Sequence, residues 1–347
     1  MKYGVMIGWA VALCGATLSS ATALVPDESL KGQCYDITYS REELQAETKR
    51  CEKLLKQKGD TAAAKSAKTK ERKKDAEPEQ AQWDAPRMAR FALLGRAVLN
   101  YLSGQHGEEP AGTHSPTPLF ISRLFVPLVN AKAVKTKLFM HTKAPSAGQE
   151  SVGLVAVYRG RVVPPKGGSY RFVGAASDFM IVRVDGKVVL EAGEWLPRLM
   201  KKDDPRTASA AVGSKHYLSV MKGLKKGPYA GYAYNATFSE IPSWNKRQGG
   251  LTLGSAFTAA EGRALELEVI VASVKEEPEF GCVLYVEDTA AVKTGGSYPL
   301  FCTDEEDVSA QEVTESLKAV RRDCDTDGME LPPHDRKSAP WKVKPTK

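Results

Sequence analysis

The chain has 347 residues, 42% of them hydrophobic, and its 49 Lys and Arg stand against 42 Asp and Glu for a formal net charge of +7. After the first two dozen residues no run approaches the roughly 18 uninterrupted apolar residues of a helical membrane span, so none is expected in the mature chain. Much of the positive excess sits in the lysine-rich run from Lys53 to Lys74. It reads as a solvated segment, or as an electrostatic arm for an acidic envelope polymer or anionic glycans.

Met1-Lys2-Tyr3-Gly4, the apolar stretch through Met6, Ile7, Trp9, Val11 and Leu13, and the small residues Ala21-Thr22-Ala23 form a secretory signal. Residues 1–23 are therefore expected to be removed, leaving a secreted chain, periplasmic or cell-surface, that begins near Leu24. A lipoprotein reading through Cys14 meets the bulky Leu13 just before it. Nucleic acid is not an expected partner of an exported chain.

The mature part keeps Cys34, Cys51, Cys282, Cys302 and Cys324, an odd number in an oxidising space. Cys34 with Cys51 and Cys282 with Cys302 are the local disulfide candidates. Cys34 with Cys324 is an equally open choice.

Residues 24–118 read as a helical, low-complexity N-terminal region. Ser40-Arg41-Glu42-Glu43 has the capping-box pattern and predicts a helix to about Gly59. Its apolar residues, Leu44, Cys51, Leu54 and Leu55, are too sparse for a core of their own. From Gly59 to about Trp83 the residues cannot bury enough apolar surface to offset the entropy of ordering them, so a linker is expected. Asp84-Ala85-Pro86 then opens a second helix, in which Met88, Phe91, Leu94, Val98 and Tyr101 or Leu102 recur at helical spacing. That stripe is expected to dock on the domain that follows.

From Leu119 the period changes to that of strands. Phe120 to Val129, Lys137 to His141, Gly153 to Val162 and Ser169 to Gly174 read as strands. Met180 to Leu190 carries Asp185-Gly186 between two β-branched runs, a type I′ hairpin. A long insertion from Leu196 leads into Tyr229, Tyr232 and Tyr234. Leu265, Leu267, Val269 and Val271 then share one face of a strand, and Gly281 to Glu287 closes the set. Many strands without alternating helices predict a mainly β fold, an antiparallel β-sandwich over 119–303, flanked by the N-terminal helices. Residues 304–347 are expected to hold a short helix at 309–321 and a disordered tail.

The run from Gly160 through Ser169-Tyr170-Arg171-Phe172-Val173-Gly174 and Ser177-Asp178 to Val182-Arg183-Val184-Asp185-Gly186-Lys187-Val188-Val189 resembles the centre of PA14-like domains. Ala264 to Val286 resembles their closing strand pair. The resemblance implies a β-sandwich binding module. In lectin-like members two adjacent aspartates hold a calcium ion that contacts sugar hydroxyls. Here the corner reads Ser177-Asp178, so only Asp178 matches; calcium there is the metal the resemblance leaves as a candidate, and no other cofactor is expected.

His106, His114, His141, His216 and His334 are scattered without metal-ligand spacing, and no Gly-x-Ser-x-Gly elbow occurs, so no enzyme is expected. Ser177, Asp178, Trp195, Tyr232, Tyr234 and Trp244 are the ligand-binding candidates, the aromatics through stacking on sugar rings or anchoring a protein. The function expected is recognition of a carbohydrate or cell-envelope component through sandwich loops. The alternative is a structural or assembly protein of the envelope that binds a partner protein through its N-terminal helices.

Overall fold

The computed structural model describes residues 29–66, 84–104, 109–139, 146–176, 178–193, 252–274, 279–290, 299–303 and 339–344. The elements are β1 (Leu30–Ser40), α1 (Arg41–Ser66), α2 (Ala85–Leu102), β2 (Thr113–His114), β3 (Leu119–Ile121), β4 (Phe125–Asn130), α3 (Ala131–Leu138), β5 (Gln149–Val163), β6 (Gly168–Ala176), β7 (Phe179–Val184), β8 (Lys187–Gly193), β9 (Thr252–Ala259), β10 (Leu265–Val274), β11 (Glu279–Asp288) and β12 (Lys342–Lys344). The larger sheet runs β2-β1-β5-β10-β7-β8, with β3 beside β1 and β12 beside β5; the smaller runs β4-β11-β6-β9. Every pairing is antiparallel, and the expected sandwich is present.

Strand β5 shows how the layers form. Val152 to Tyr158 is a continuous buried run because both faces of the strand are covered. Leu154, Ala156 and Tyr158 point between the sheets with Phe172, Met180 and Leu284. Val155 and Val157 point the other way, into a second core made with α2. Asp84 caps α2, its Oδ1 accepting the Arg87 N–H at 2.8 Å, with Pro86 in the first turn. Met88, Phe91, Leu94 and Val98 are buried as the spacing predicts, and so are Leu93 and Ala97, because α1 lies over the other side.

Helix α1 is held by its capping box: Glu43 N–H donates to Ser40 Oγ and Ser40 N–H to Glu43 Oε2, both at 3.1 Å. It reaches Ser66 rather than Gly59. Its Glu47 ties the two helices, accepting from Arg50 Nε at 2.9 Å and from Arg96 of α2 at 3.4 Å. Asp185 and Gly186 both adopt positive φ, 47° and 76°, as a type I′ hairpin between β7 and β8 requires.

Four expectations are corrected. The sandwich begins at Leu30, not 119, because β1 pairs with β5 from Lys31↔Arg159 to Ser40↔Gln149. Residues 131–138 form α3 instead of the start of a strand; Val134 and Leu138, one turn apart, both enter the inter-sheet core, and Lys135 pairs with the buried Asp36 at 2.7 Å. The expected disulfides do not form among the described residues. Cys34 faces the inter-sheet core and Cys51 the helix-side core, on opposite sides of the larger sheet, while Cys282 is buried between the sheets and Cys302 bridges to Arg123. Finally, 339–344 is ordered where a disordered tail is expected. Trp341 is fully buried, its ring 5.0 Å from Tyr170 and 5.7 Å from Phe301, and β12 follows it along β5. The signal segment, the linker beyond Ser66, Cys324 and the 309–321 helix lie outside the described residues.

Burial pushes the thiols of Cys34 and Cys51 and the phenols of Tyr39 and Tyr101 up to about 12. Groups whose pKa is raised on folding stabilise fully below the unfolded pKa and lose that contribution as pH rises through the folded one. Unfolding temperature, followed by circular dichroism, should hold steady to about pH 9 and fall steeply from there to about pH 12.

Candidate functional site

Helix α2 covers only part of the outer face of the larger sheet. Beyond its C-terminal turn, three adjacent strands carry charged residues in one rung: Arg159 of β5 opposite Glu268 of β10, and Glu268 opposite Arg183 of β7. Residues paired across antiparallel strands share a face, so the three side chains meet. Glu268 is buried and accepts from Arg159 Nε at 2.9 Å and from Arg183 Nε at 2.7 Å. Tyr101, in the last turn of α2, donates its hydroxyl to the same carboxylate at 2.5 Å. Both guanidinium groups also lie over the Tyr101 ring, 5.7 and 5.5 Å from its centroid. The cluster combines charge-assisted hydrogen bonds with cation–π contact.

Exposure differs along the rung. The Arg159 side chain is 43% exposed, whereas that of Arg183 is 18% and that of Glu268 11%. Glu268 thus fixes two planar donor groups, one of which still presents an edge to solvent. Burial raises the Tyr101 phenol first, and the negative Glu268 beside it adds to the shift, so the ring stays a neutral donor through the physiological range.

Asp178 lies at the corner where the chain passes from β6 in the smaller sheet to β7 in the larger. It is buried, and its Oδ2 accepts the backbone N–H of Val274, the last residue of β10, at 2.8 Å. This bond ties the corner to the end of a central strand. Ser177, Trp195, Tyr232, Tyr234 and Trp244 lie outside the described residues. Among the described residues no group of three or more His, Cys, Asp or Glu is placed to hold a metal ion, and no helix is long and apolar enough to cross a membrane.

The arginine cluster was not among the sequence candidates. The available signal was charge in line with apolar residues on one strand face: Glu268 precedes Ile270 and Ala272 at alternate positions, and Arg183 follows Ile181. Only the register brings Arg159, Arg183 and Glu268 together from three separate segments.

No protein-family model matches the chain, and no curated protein matches it. Among solved structures it is similar to the PA14 sugar-binding domain from an RTX adhesin, at 10% identity over 79% of this chain and 95% of that one, with a TM-score of 0.32. The PA14 domain of the MpAFP antifreeze protein matches at 12% identity over 53% and 68%, with a TM-score of 0.27. The A domain of epithelial adhesin 9 from Candida glabrata, in complex with Galb1-4GlcNAc, matches at 9% identity over 76% and 84%, with a TM-score of 0.30. PA14 domains stand among the matches. At these TM-scores what this chain binds rests on its own residues.

Two substitutions test the roles read from this geometry. Glu268→Gln leaves two neighbouring guanidinium groups without their counter-charge and should cost about 1–3 kcal/mol in chemical denaturation, less than for a fully buried pair because Arg159 is half-solvated. Asp178→Ala orphans a buried N–H and should cost about 1–3 kcal/mol, by the same amount with calcium and with chelator.

Proposed function

We propose that this chain is an exported, non-catalytic binding module that recognises a carbohydrate or cell-envelope component, with the uncovered end of the larger sheet as its principal surface. The observation that supports it is the fixed rung of Arg159, Glu268 and Arg183 under Tyr101. A planar guanidinium held in place loses little freedom when it donates paired hydrogen bonds to carboxylates or hydroxyls. A rigid scaffold on both sides of the sheet supports such preorganisation, since the strands beneath are packed between two cores.

Ser177, Trp195, Tyr232, Tyr234 and Trp244 stay in the proposal as ligand contacts through their chemistry, hydrogen bonding for the serine and ring stacking for the aromatics. Secretion to the periplasm or cell surface rests on the signal read at residues 1–23.

A glycan array probed with the chain from Leu24, once with calcium and once with chelator, tests the reading. The same set of glycans should bind in both conditions, because Asp178 is buried and bonded to the backbone. A blank array in both would overturn carbohydrate recognition.

A further inference from the structure

The sheet face around the arginine rung carries more charge than the rung itself. Lys31 of β1 pairs with Arg159, so the rung runs Lys31, Arg159, Glu268, Arg183 across four strands. The next position on the same face pairs Arg161 with Glu266 on one side and with Lys344 of β12 on the other. Strand β12 continues the line of β1 along β5, since β1 ends its pairing at Arg159 and β12 takes it up at Arg161. Within β12, Val343 packs on the inter-sheet core, which turns Lys342 and Lys344 to the outer face.

Six cations, Lys31, Arg159, Arg161, Arg183, Lys342 and Lys344, therefore share one face with Glu266 and Glu268. Lys31, Arg159, Arg161, Lys342 and Lys344 are exposed. Adjacent strands lie about 4.8 Å apart, so the four-strand rung spans about 14 Å, room for several residues of an extended chain. Asp185 does not offset this charge, because Arg263 pairs with it at 3.3 Å and its other oxygen accepts the Glu266 N–H at 2.9 Å.

We infer that this face binds an acidic polysaccharide, a polymer bearing carboxylates or sulfates. The inference rests on the carbohydrate-binding reading above and names the ligand class. Charge complementarity selects a polyanion. The row of cations across adjacent strands and the paired donor geometry of fixed arginines suit carboxylate or sulfate groups carried along a sugar chain. The face is charged rather than apolar at its exposed positions, so it offers no side chain for insertion among lipid tails. The C-terminal segment completes the site: Trp341 anchors it in the core, and the two lysines after it form the edge of the patch.

The test measures binding of the chain from Leu24 to heparin and polygalacturonate, with dextran as neutral polymer, between about 50 and about 300 mM NaCl. Affinity for the two acidic polymers should fall on the order of tenfold across that range, through screening and counterion release. The double variant Lys342→Glu/Lys344→Glu should bind them at least about fivefold more weakly at low salt, with an unchanged melting temperature. Arg41→Glu/Lys49→Glu makes the same charge change at exposed positions of α1 outside the lysine-rich run and should stay within about twofold of the parent. If the β12 variant melts early, Arg161→Glu on β5 takes its place.

Equal loss in both double variants would reduce the effect to net charge and overturn the inference. Binding to duplex DNA or to phosphatidylserine vesicles as tight as to the polysaccharides would also overturn it, assigning the face to polyanions in general or to a lipid surface. Neutral glycans bound with acidic polymers unbound would remove this inference and leave the carbohydrate reading standing. No glycan of either kind bound would remove both.

Discussion

The burial of β5 on both faces is the constraint from which the rest of the molecule follows. Its inward residues, Leu154, Ala156 and Tyr158, need the smaller sheet, and its outward residues, Val155 and Val157, need α2. A sandwich strand with one wet face would alternate apolar and polar residues; this one is apolar throughout its middle, so a third layer is obligatory. Helix α2 meets that demand and is itself apolar on more than one side, which in turn requires α1. Close packing allows little slack here. A Cβ at Gly153 would come within 2.4 Å of the Ser273 carbonyl oxygen and 2.7 Å of Leu94, so the helix can rest this near the sheet only because the residue is glycine.

The helical layer ends before the sheet does, and the site arises from that mismatch. Where α2 covers β5, β10 and β7, their outer residues are Val155, Val157, Ile270 and Ile181. One rung past its final turn the same strands carry Arg159, Glu268 and Arg183. Tyr101 stands at the border, its ring in the apolar core and its hydroxyl on the carboxylate. A tyrosine suits this position because it has an apolar body and one polar tip. The same stack of layers thus stabilises the fold and sets the donor geometry of its charged end. The apolar stripe of α2 is consumed within the molecule.

The corner at Asp178 and the cysteines show how burial changes the meaning of a residue type. An aspartate matching a calcium-site motif becomes a backbone clip once the corner folds it against the end of β10. Cys34 and Cys51, which the sequence offers as bridging partners, become small apolar fillers because they face two cores separated by a sheet. Chemistry read from a residue alone presumes access to solvent or to a partner, whereas Asp178, Cys34 and Cys51 are each buried.

Signals written in neighbouring residues were legible in the sequence. The capping box at Ser40, the cap at Asp84, the helical stripe from Met88 to Tyr101, the Asp185-Gly186 turn and the alternating face of Leu265 to Val271 all depend on contacts within a few residues, and each is present. They sufficed for an antiparallel β architecture with helices before it. Strand β1, the docking of Trp341, the separation of the thiols and the site itself were decided by tertiary structure. Residues 31, 159, 161, 183, 268 and 342–344 become neighbours only through the register of five strands, and register is set by which faces the core buries, a property of the assembled sheets.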